Sequence, residues 1–460
     1  MQESKLNYCF FKSVRWNFLD ACIYQIVLTG HYAALFFATT PAFFGMMGTL
    51  FSLVFLLATV ANAGLDTTFS AFYTRVVSSR LQMRTIIMRH LGATTVIAFI
   101  LGMFMLLLWI SIPCGMPPFS LSLALTLLGI LICESIKKSL RMLLQLAFRT
   151  PVVAGIESAT VVGYVGSVWL GHLCGLPLTL MHLFLPMLIC WLGATLASVF
   201  FVYQLYRELP PLPTALTEPI SQNLFIKNRF LNLLNQLVHQ LFSSNFLVPL
   251  FALRGGFAVA GQLKLVCYIS YGITSALQKI IGFSASALFA QFVGKESKNM
   301  RHAFMLVQKT LLSFLASIFL LTMVIGIGFL FFTQAPLTQQ SPHLVILALI
   351  FSMQLSENFF TAFERFLIVK EQALFLTIVN GGTAAALYLT IHATGQLSLL
   401  STLSVLLAIR ICAFFVVRSY TLGLVTKNKT IPPSLKHLVY PSLIGTTLFL
   451  VIRLFYKSIH

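Results

Sequence analysis

A polar face runs down an otherwise apolar segment in the second half of the chain. Lys264, Tyr268, Tyr271, Ser275 and Lys279 are spaced by four, three, four and four residues, which places them on one side of a helix with 3.6 residues per turn. Lysines bind phosphate groups as point charges, and tyrosine rings pack against apolar ligand faces. The spacing therefore predicts a helix face that is turned towards a shared polar space between helices.

Two further sets of polar side chains lie in apolar segments. One set, in a segment at 230–252, consists of Asn232, Gln236, His239 and Ser243. A looser set, at 17–39, consists of Asp20, Tyr24 and His31. Polar groups are costly in hydrocarbon, so these either hydrogen-bond packed helices to one another or face a shared polar space. Both explanations stay open for Asn232, Gln236 and His239.

Basic side chains inside apolar segments also need an explanation. An ammonium group at membrane depth needs a partner or water, and no acid lies one turn from Lys279 on its own helix, which favours a hydrated cavity. Lys264 and Arg254 could instead extend to the membrane surface. Arg410, in the middle of VLLAIRICAFF, could pair with an acid such as Glu357.

Four acids lie within or at the ends of apolar segments, namely Asp20, Glu134, Glu157 and Glu357. They could carry protons or sodium ions for coupled transport, or neutralise nearby lysines and arginines. The structural role is favoured for each of them. Glu134 lies one turn before Lys137 and Lys138, a spacing that suits an ion pair.

These residues belong to a chain with the composition of an integral membrane protein. Hydrophobic residues make up 58% of the 460 and charged residues 9%, against roughly 25% charged residues in a soluble domain. Apolar runs of about 20 residues, enough to cross a bilayer, occupy nearly the whole chain. We predict twelve spans, with a thirteenth candidate at 437–455; the twelve are 17–39, 43–73, 91–112, 119–144, 152–173, 179–205, 230–252, 258–292, 304–333, 343–369, 372–393 and 398–424.

Connections that carry basic residues alternate with connections that carry few or none. This alternation is expected for consecutive crossings under the positive-inside rule, which places the amino terminus and the basic loops in the cytoplasm. The net charge of +19 is therefore dispersed along the chain by topology. That distribution favours anionic membrane lipids as the partner of the charge and argues against nucleic acid.

The second half of the chain repeats the plan of the first. Moving it back by 218 residues lays Gly282 on Gly64, and moving it by 223 lays Asn380 on Glu157. Six spans per half make both copies enter the membrane from the same side, as in the parallel repeats of some secondary transporters.

We therefore predict an all-α polytopic membrane protein built from two six-helix bundles, related by a pseudo-two-fold axis along the membrane normal. The predicted units are an amino-terminal lobe at 1–206, a cytoplasmic linker at 207–228, a carboxy-terminal lobe at 229–424, and a basic loop with the extra helix candidate at 425–460.

No pattern in the sequence indicates catalysis, a metal or a cofactor. A Gly-x-x-x-x-Gly-Lys-Ser/Thr phosphate loop is absent, so ATP hydrolysis is not expected. The eight cysteines contain no C-x-x-C pair, so neither a disulfide framework nor a metal site is expected. The predicted external connections lack Asp and Glu, although an enzyme acting on lipid-linked glycans would normally need a carboxylate there. The amino terminus shows no cleavage site for a signal peptide.

Three stretches resemble one family of membrane transporters. They are PAFFGMMGTLFSLVFLLATVANAGLDTTFSAFYTR, SASALFAQFVGKESKNMRHAFMLVQKTLL and LIVKEQALFLTIVNGGTAAALYLTIHATGQLSLLSTLSVLLAIR. They are similar to the polysaccharide transport proteins (O-antigen-type flippases) of the multidrug/oligosaccharidyl-lipid/polysaccharide exporter (MOP) superfamily, over most of residues 10–424. The resemblance implies a V-shaped pair of bundles that opens alternately to the two sides.

Two other branches of the superfamily match less well. Its lipid II flippases have fourteen helices and arginines within the first helix, whereas this first span has none. Its drug/sodium antiporters use buried carboxylates in the cavity, whereas Asp20 is the only acid in the first span and the seventh span has none.

The resemblance implies a flippase for lipid-linked (polyprenyl-pyrophosphate) oligosaccharide in the inner membrane of a bacterium, serving cell-surface polysaccharide assembly. Glycosyltransferases or a polysaccharide polymerase are its expected partners. A pyrophosphate needs cations when it is dehydrated, and the expected substrate-binding residues are Lys279, Lys264, Arg254, Arg410, Tyr268, Tyr271, Asn232, Gln236 and His239. The alternatives are a cation-coupled multidrug or organic-cation antiporter and a membrane enzyme acting on lipid-linked glycans.

Overall fold

The computed structural model describes residues 2–111, 120–211, 220–241, 243, 245–250, 252–253, 256–261, 263–264, 278–292, 300–314, 361–393 and 399–426. Within these ranges every regular element is a helix. The thirteenth span candidate at 437–455 lies outside them.

Seven helices build the first half. They are α1 (Gln2–Ala38), α2 (Pro41–Asn62), α3 (Leu65–Val76), α4 (Arg80–Ser111), α5 (Leu121–Leu146), α6 (Thr150–Leu173) and α7 (Leu180–Glu208). Two of their starts have the expected capping chemistry, because the side chains of Thr40 and Thr179 accept hydrogen bonds from backbone N–H groups three residues ahead.

The predicted span at 43–73 corresponds to an apolar segment at Pro41–Val76 that contains two helices. Ala63 and Gly64 both adopt left-handed backbone conformations, with φ of 49° and 70°, and separate α2 from α3. Gly64 also packs closely, since a Cβ there would lie 2.6 Å from the carbonyl oxygen of Arg229. A glycine is needed at this break because only glycine combines that conformation with that contact.

Arg229 satisfies the backbone at the break. Its guanidinium donates to the carbonyl oxygens of Asn62 and Ala63, at 3.2 Å each. It also donates to Oγ1 of Thr94 at 2.8 Å and lies 3.2 Å from Nδ1 of His90. A side chain from the second half therefore takes the place of the hydrogen bonds that the broken helix cannot make.

The second half contains α8 (Gln222–Leu241), a π-helical turn (Gln278–Gly282), α9 (Phe283–Gln291), α10 (Ala373–Ala393) and α11 (Leu399–Thr426). Residues 300–314 and 361–369 are also helical. Gly282 ends the π turn directly before α9, and Gly64 directly precedes α3 in the first half.

Helix length and composition identify a multi-pass membrane protein. In the ranges given above, five helical segments are long and apolar enough to cross a bilayer. Large apolar side chains such as Phe37 and Leu173 are more than four-fifths exposed, as expected for surfaces that face lipid. The 26-residue α5 is equally long but carries Glu134, Lys137, Lys138 and Arg141.

Three clusters of buried apolar residues form the core. One lies within the first half and extends from Leu28 to Trp191. A second joins the start of α1, at Phe10 and Val14, to second-half residues such as Phe289. The third contains helix ends near the basic connections of the first half, together with Phe225, Ala287 and Ala290 of the second half. We call this side of the molecule the basic end; the two halves are in direct contact there.

Candidate functional site between the two halves

An ion pair joins the two halves near the middle of α1. Asp20 is 1% exposed, and its Oδ2 lies 2.6 Å from Nζ of Lys279 in the π turn. Ser158 donates to Oδ1 of Asp20 at 3.0 Å, and the ammonium of Lys279 lies 4.5 Å from the centre of the Tyr24 ring. Lys279 therefore has a carboxylate partner from the other half. The hydrated cavity predicted around it stays a prediction.

A second group of charges is buried inside the first half. Nζ of Lys137 lies 3.1 Å from Glu134 and 3.6 Å from Glu157, and Arg141 lies 3.6 Å from Glu157. Trp191 donates to Glu134 at 2.7 Å. The pairing of Glu134 with Lys137, predicted from their spacing, is confirmed.

This group is electrically balanced, because two carboxylates face two cations. Removing a charge from water costs several kcal/mol per ion, which only good pairing offsets. This pairing explains how α5 can be packed between other helices although it carries Glu134, Lys137 and Arg141.

Asp66 forms a third polar group at the break between α2 and α3. Its Oδ1 accepts from Nε2 of Gln236 at 2.7 Å, and its Oδ2 lies 3.8 Å from Nζ of Lys138. Asn232, one turn earlier on α8, donates to Thr68 at 3.0 Å. The predicted face of α8 therefore contacts the first half with its two amides.

The remaining polar residues of these faces point to other partners. His239 lies 2.8 Å from Glu364, so it contacts the second half. His31 lies 3.2 Å from the hydroxyl of Tyr164 and accepts from Trp169 at 3.0 Å, both within the first half. His31 therefore does not face the space between the halves as its stripe with Asp20 and Tyr24 suggested.

Lys264 reaches across to α2. It is 1% exposed, its Nζ donates to the hydroxyl of Ser52 at 2.7 Å, and its ammonium lies 5.2 Å from the centre of the Phe51 ring. Gly48 makes room for the stem of this lysine, since a Cβ there would lie 3.0 Å from its Cγ. The charge is thus held against the other half and does not extend to a membrane surface.

The other predicted site residues are less fully described. Arg254, Tyr268, Tyr271 and Glu357 lie outside the described ranges. Arg410 lies in α11, where the structure describes its backbone and not its side chain. Their proposed roles stay predictions.

Two charged residues of these groups, Asp66 and Arg141, were not predicted from the sequence. Asp66 lies two residues after Gly64, the glycine that the repeat singled out. Arg141 lies one turn after Lys137 and Lys138 on α5, and that spacing was the available signal.

The described helices define an all-helical membrane fold with polar and charged groups at the contact between its two halves. The groups come from both halves.

Solved structures give the fold a more particular name, although no family model matches the sequence and no curated protein matches it. A mutant of the Vibrio cholerae MATE transporter VcmN, with an aspartate changed to asparagine, is 13% identical with a TM-score of 0.63, covering 93% of this chain and 98% of that one. A MOP superfamily transporter from Pyrococcus furiosus, whose binding pocket is described as having reverse polarity, is 12% identical with a TM-score of 0.57, covering 92% and 96%.

A multidrug resistance MATE family transporter in an outward-facing conformation is 12% identical with a TM-score of 0.59, covering 91% and 97%. This chain therefore has the MATE-like fold of the MOP superfamily. The resemblance noted in the sequence is confirmed at the level of the superfamily fold, and the assignment to its polysaccharide branch stays a prediction.

Proposed function

We propose that this chain is an alternating-access transporter in which ion binding at Asp20 controls the link between the two halves. The contact between Asp20 and Lys279 carries the proposal, since it is buried, measures 2.6 Å and joins α1 to the second half.

Protonation is the simplest way to break that link. A proton on Asp20 cancels its charge and leaves the Lys279 ammonium without an ionic partner. Two charges about 4 Å apart attract by roughly 4 kcal/mol at the effective dielectric of a protein near its surface. Loss of that attraction weakens the contact between the halves and favours their separation. A sodium ion at the carboxylate would compete with the ammonium in the same way.

The π-helical turn suits such a movement. Lys279 is its second residue, and π turns within helices are rare and frequent at functional sites. A short segment with irregular hydrogen bonding can shift the ammonium without moving the whole helix.

The first candidate for the cargo is an organic cation or drug, exported against the coupling ion. The solved structures that support it include multidrug resistance MATE transporters of the same fold. The buried carboxylates of the first half also support it, because the coupling candidates Asp20, Glu134 and Glu157 all lie there with less than a tenth of their surface exposed.

The second candidate is a lipid-linked oligosaccharide with a pyrophosphate group. The position of Lys264 favours it, since this buried ammonium lies between the halves against a hydroxyl and an aromatic ring. A cation at that position would repel a cationic cargo and attract a phosphate.

Transport by the full chain in proteoliposomes tests the proposal. Uptake of a fluorescent organic cation under a proton or sodium gradient is measured beside flipping of a polyprenyl-pyrophosphate oligosaccharide. Under the first candidate, Asp20→Asn abolishes gradient-driven uptake and Lys264→Ala has little effect. Under the second, Lys264→Ala reduces flipping at least tenfold.

Glu208→Gln is the matched control, because Glu208 pairs with Arg149 on the surface, with about half of each side chain exposed. Movement of neither cargo by the unmodified chain, or equal activity of Asp20→Asn and Glu208→Gln, would overturn the proposal.

A further inference from the structure

A groove on the outer face of the first half lies between α6 and α7. Near the loop that joins the two helices they are in contact, because Nε2 of His182 lies 2.9 Å from the carbonyl oxygen of Val168. Nearer the basic end, where Pro151 and Phe201 line it, the groove has a volume of about 490 Å³. That is roughly three times an engineered cavity of about 150 Å³ that holds a benzene molecule. The groove can therefore hold a long hydrocarbon chain.

Short side chains leave the groove open. Gly155 on α6 and Gly193 on α7 lie in its walls, and a Cβ built on either glycine would meet no atom within 4 Å. Ala159 and Ala197 extend the two walls. Within the part of the chain that the structure describes, no side chain fills this space, so its walls lack the dispersion attraction that a packed partner would supply.

The walls favour hydrocarbon over water. Thr160 and Cys190 are the polar side chains among the lining residues. The hydroxyl of Thr160 already donates to the carbonyl oxygen of Ile156, at 2.6 Å, and a thiol is a weak donor. A water molecule needs two to four polar partners to be held, which these walls do not offer.

The groove opens towards the lipid. Gly155, Ala159 and Gly193 are exposed, and the neighbouring Leu192 and Leu196 are 48% and 62% exposed. Lipid chains are as apolar as leucine side chains, so the hydrocarbon of the bilayer is the medium that meets this surface. A lipid chain is therefore the occupant that the position of the groove favours.

Charged side chains lie just beyond the end of the groove at the basic end. Arg149, two residues before Pro151, is exposed, and its Nη2 donates to Glu208 of α7 at 2.7 Å. Nε and Nη1 of Arg149 make no hydrogen bond to any residue that the structure describes. Arg207, next to Glu208, is a second exposed cation. Two cations thus accompany one acid, and the remaining positive charge and free donors suit a lipid phosphate.

We propose that the groove between α6 and α7 binds one chain of an anionic phospholipid, whose phosphate contacts Arg149. The lipid lies in the leaflet at the basic end. Both helices belong to the first half, so the site persists whether or not the halves move and whichever cargo is carried. Failure of the transport proposal would leave this site unaffected.

Lipid binding is measured by native mass spectrometry on the delipidated full chain, titrated with phosphatidylglycerol or with phosphatidylcholine. We expect one phosphatidylglycerol to bind more tightly than the rest, and about fivefold more tightly than phosphatidylcholine, as one basic residue near an anionic headgroup provides. Gly193→Phe places a ring in the groove and should weaken this binding about tenfold, because the chain loses its apolar contact. Gly155→Leu, on the opposite wall, is an independent variant that should act in the same direction.

Gly92→Phe is the matched control for the groove. Gly92, on α4, is also exposed, and a Cβ there would likewise meet no atom within 4 Å, so binding should be unchanged. Arg149→Gln should remove the preference for phosphatidylglycerol, whereas Arg84→Gln, at another exposed arginine of the basic end, should keep it. Thermal unfolding checks that each variant is folded.

Absence of a tightly bound lipid overturns the site, and so does equal weakening by Gly193→Phe and Gly92→Phe. Equal affinity for the two lipids overturns the contact between the phosphate and Arg149. The same spectra report the oligomeric state. A dimer that Gly193→Phe dissociates would show that a second copy of the chain, and not a lipid, occupies the groove.

Discussion

Two positions that the predicted repeat pairs, one in each half, carry different chemistry. The 223-residue shift pairs Glu157 in α6 with Asn380 in α10, which are 4% and 1% exposed. Glu157 lies between Lys137 and Arg141, whereas Asn380 donates to the side chain of Asn235 at 3.4 Å. One half has a balanced group of ions where the other has a pair of neutral amides.

The difference separates two ways to stabilise a polar interior. Neutral amides need only hydrogen bonds, and losing one bond costs about 1 kcal/mol. Buried ions need partners of opposite charge, and losing one partner costs about 3–5 kcal/mol. Stability therefore depends on every member of the ion group around Glu157, whereas the amide pair at Asn380 tolerates substitution better.

The largest expected effect concerns Lys137. Lys137→Ala leaves Glu134 without its cation and Glu157 with only Arg141, so we expect a loss of about 4 kcal/mol in the free energy of unfolding. Thermal or denaturant unfolding in detergent measures it. The comparison between halves fails if Asn380→Ala destabilises the protein as much.

The link between the halves should show coupling between its two members. Asp20→Asn and Lys279→Gln each leave one buried charge unpaired, and we expect each to lower stability by about 3 kcal/mol. The double variant should recover most of that loss, because neither charge remains. Additive losses in the double-mutant cycle would show that the two residues do not act as a pair.

Recovery of stability does not imply recovery of transport. In the same double variant we expect gradient-driven transport to stay absent, because no carboxylate remains to bind the coupling ion. A double variant that is both stable and fully active would assign the pair a purely structural role.

The two glycines related by the repeat give a smaller contrast. Gly64→Ala should cost about 2 kcal/mol, because its φ of 70° strains an alanine and the contact is with backbone. Gly282 has an ordinary φ of −59°, and its tightest contact is the Thr361 methyl group. Gly282→Ala should cost about 1 kcal/mol, and unfolding midpoints of the two variants measure the difference.

The smallest expected effect is that of Asn380→Ala. It removes the neutral hydrogen bond to Asn235 and leaves Asn235 with its bond to the carbonyl of Ala373, so we expect a loss of about 1 kcal/mol for that bond. Asn235→Ala is the control, since it removes the same bond from the other side. If Asn380→Ala or Asn235→Ala lowered the free energy of unfolding more than Lys137→Ala, the comparison between the ion group and the amide pair would be reversed.

Local features of the fold could be predicted from the sequence. Apolar runs predicted α1, α4, α6 and α7, because their length and composition are those of bilayer spans. Most of the ends of these helices lie within a few residues of the predicted ones. Gly64 and Gly282, which the predicted repeat pairs, each lie directly before a helix. The break at Ala63 was not predicted, since an alanine in a left-handed conformation has no sequence signal of its own.

Contacts between distant residues explain what the sequence missed. Asp20 and Lys279 lie in different halves, so the search for an acid near Lys279 on its own helix could not find its partner. Arg365 and Arg141, whose guanidinium groups both lie over the Phe283 ring, also lie in separate halves, so helical spacing could not relate them either. Helical spacing relates residues three or four apart, and only the docking of the two halves relates these.

The Arg229 contacts have a consequence for the order in which the chain is made. Asn62 and Ala63 are synthesised and inserted long before Arg229 leaves the ribosome. Their carbonyl oxygens therefore lack the Arg229 hydrogen bonds until that later segment has been made. The first half is thus an incomplete product on its own. If the chain is cut after residue 211 and produced as two pieces, the amino-terminal piece should escape degradation in the membrane only when the carboxy-terminal piece is present.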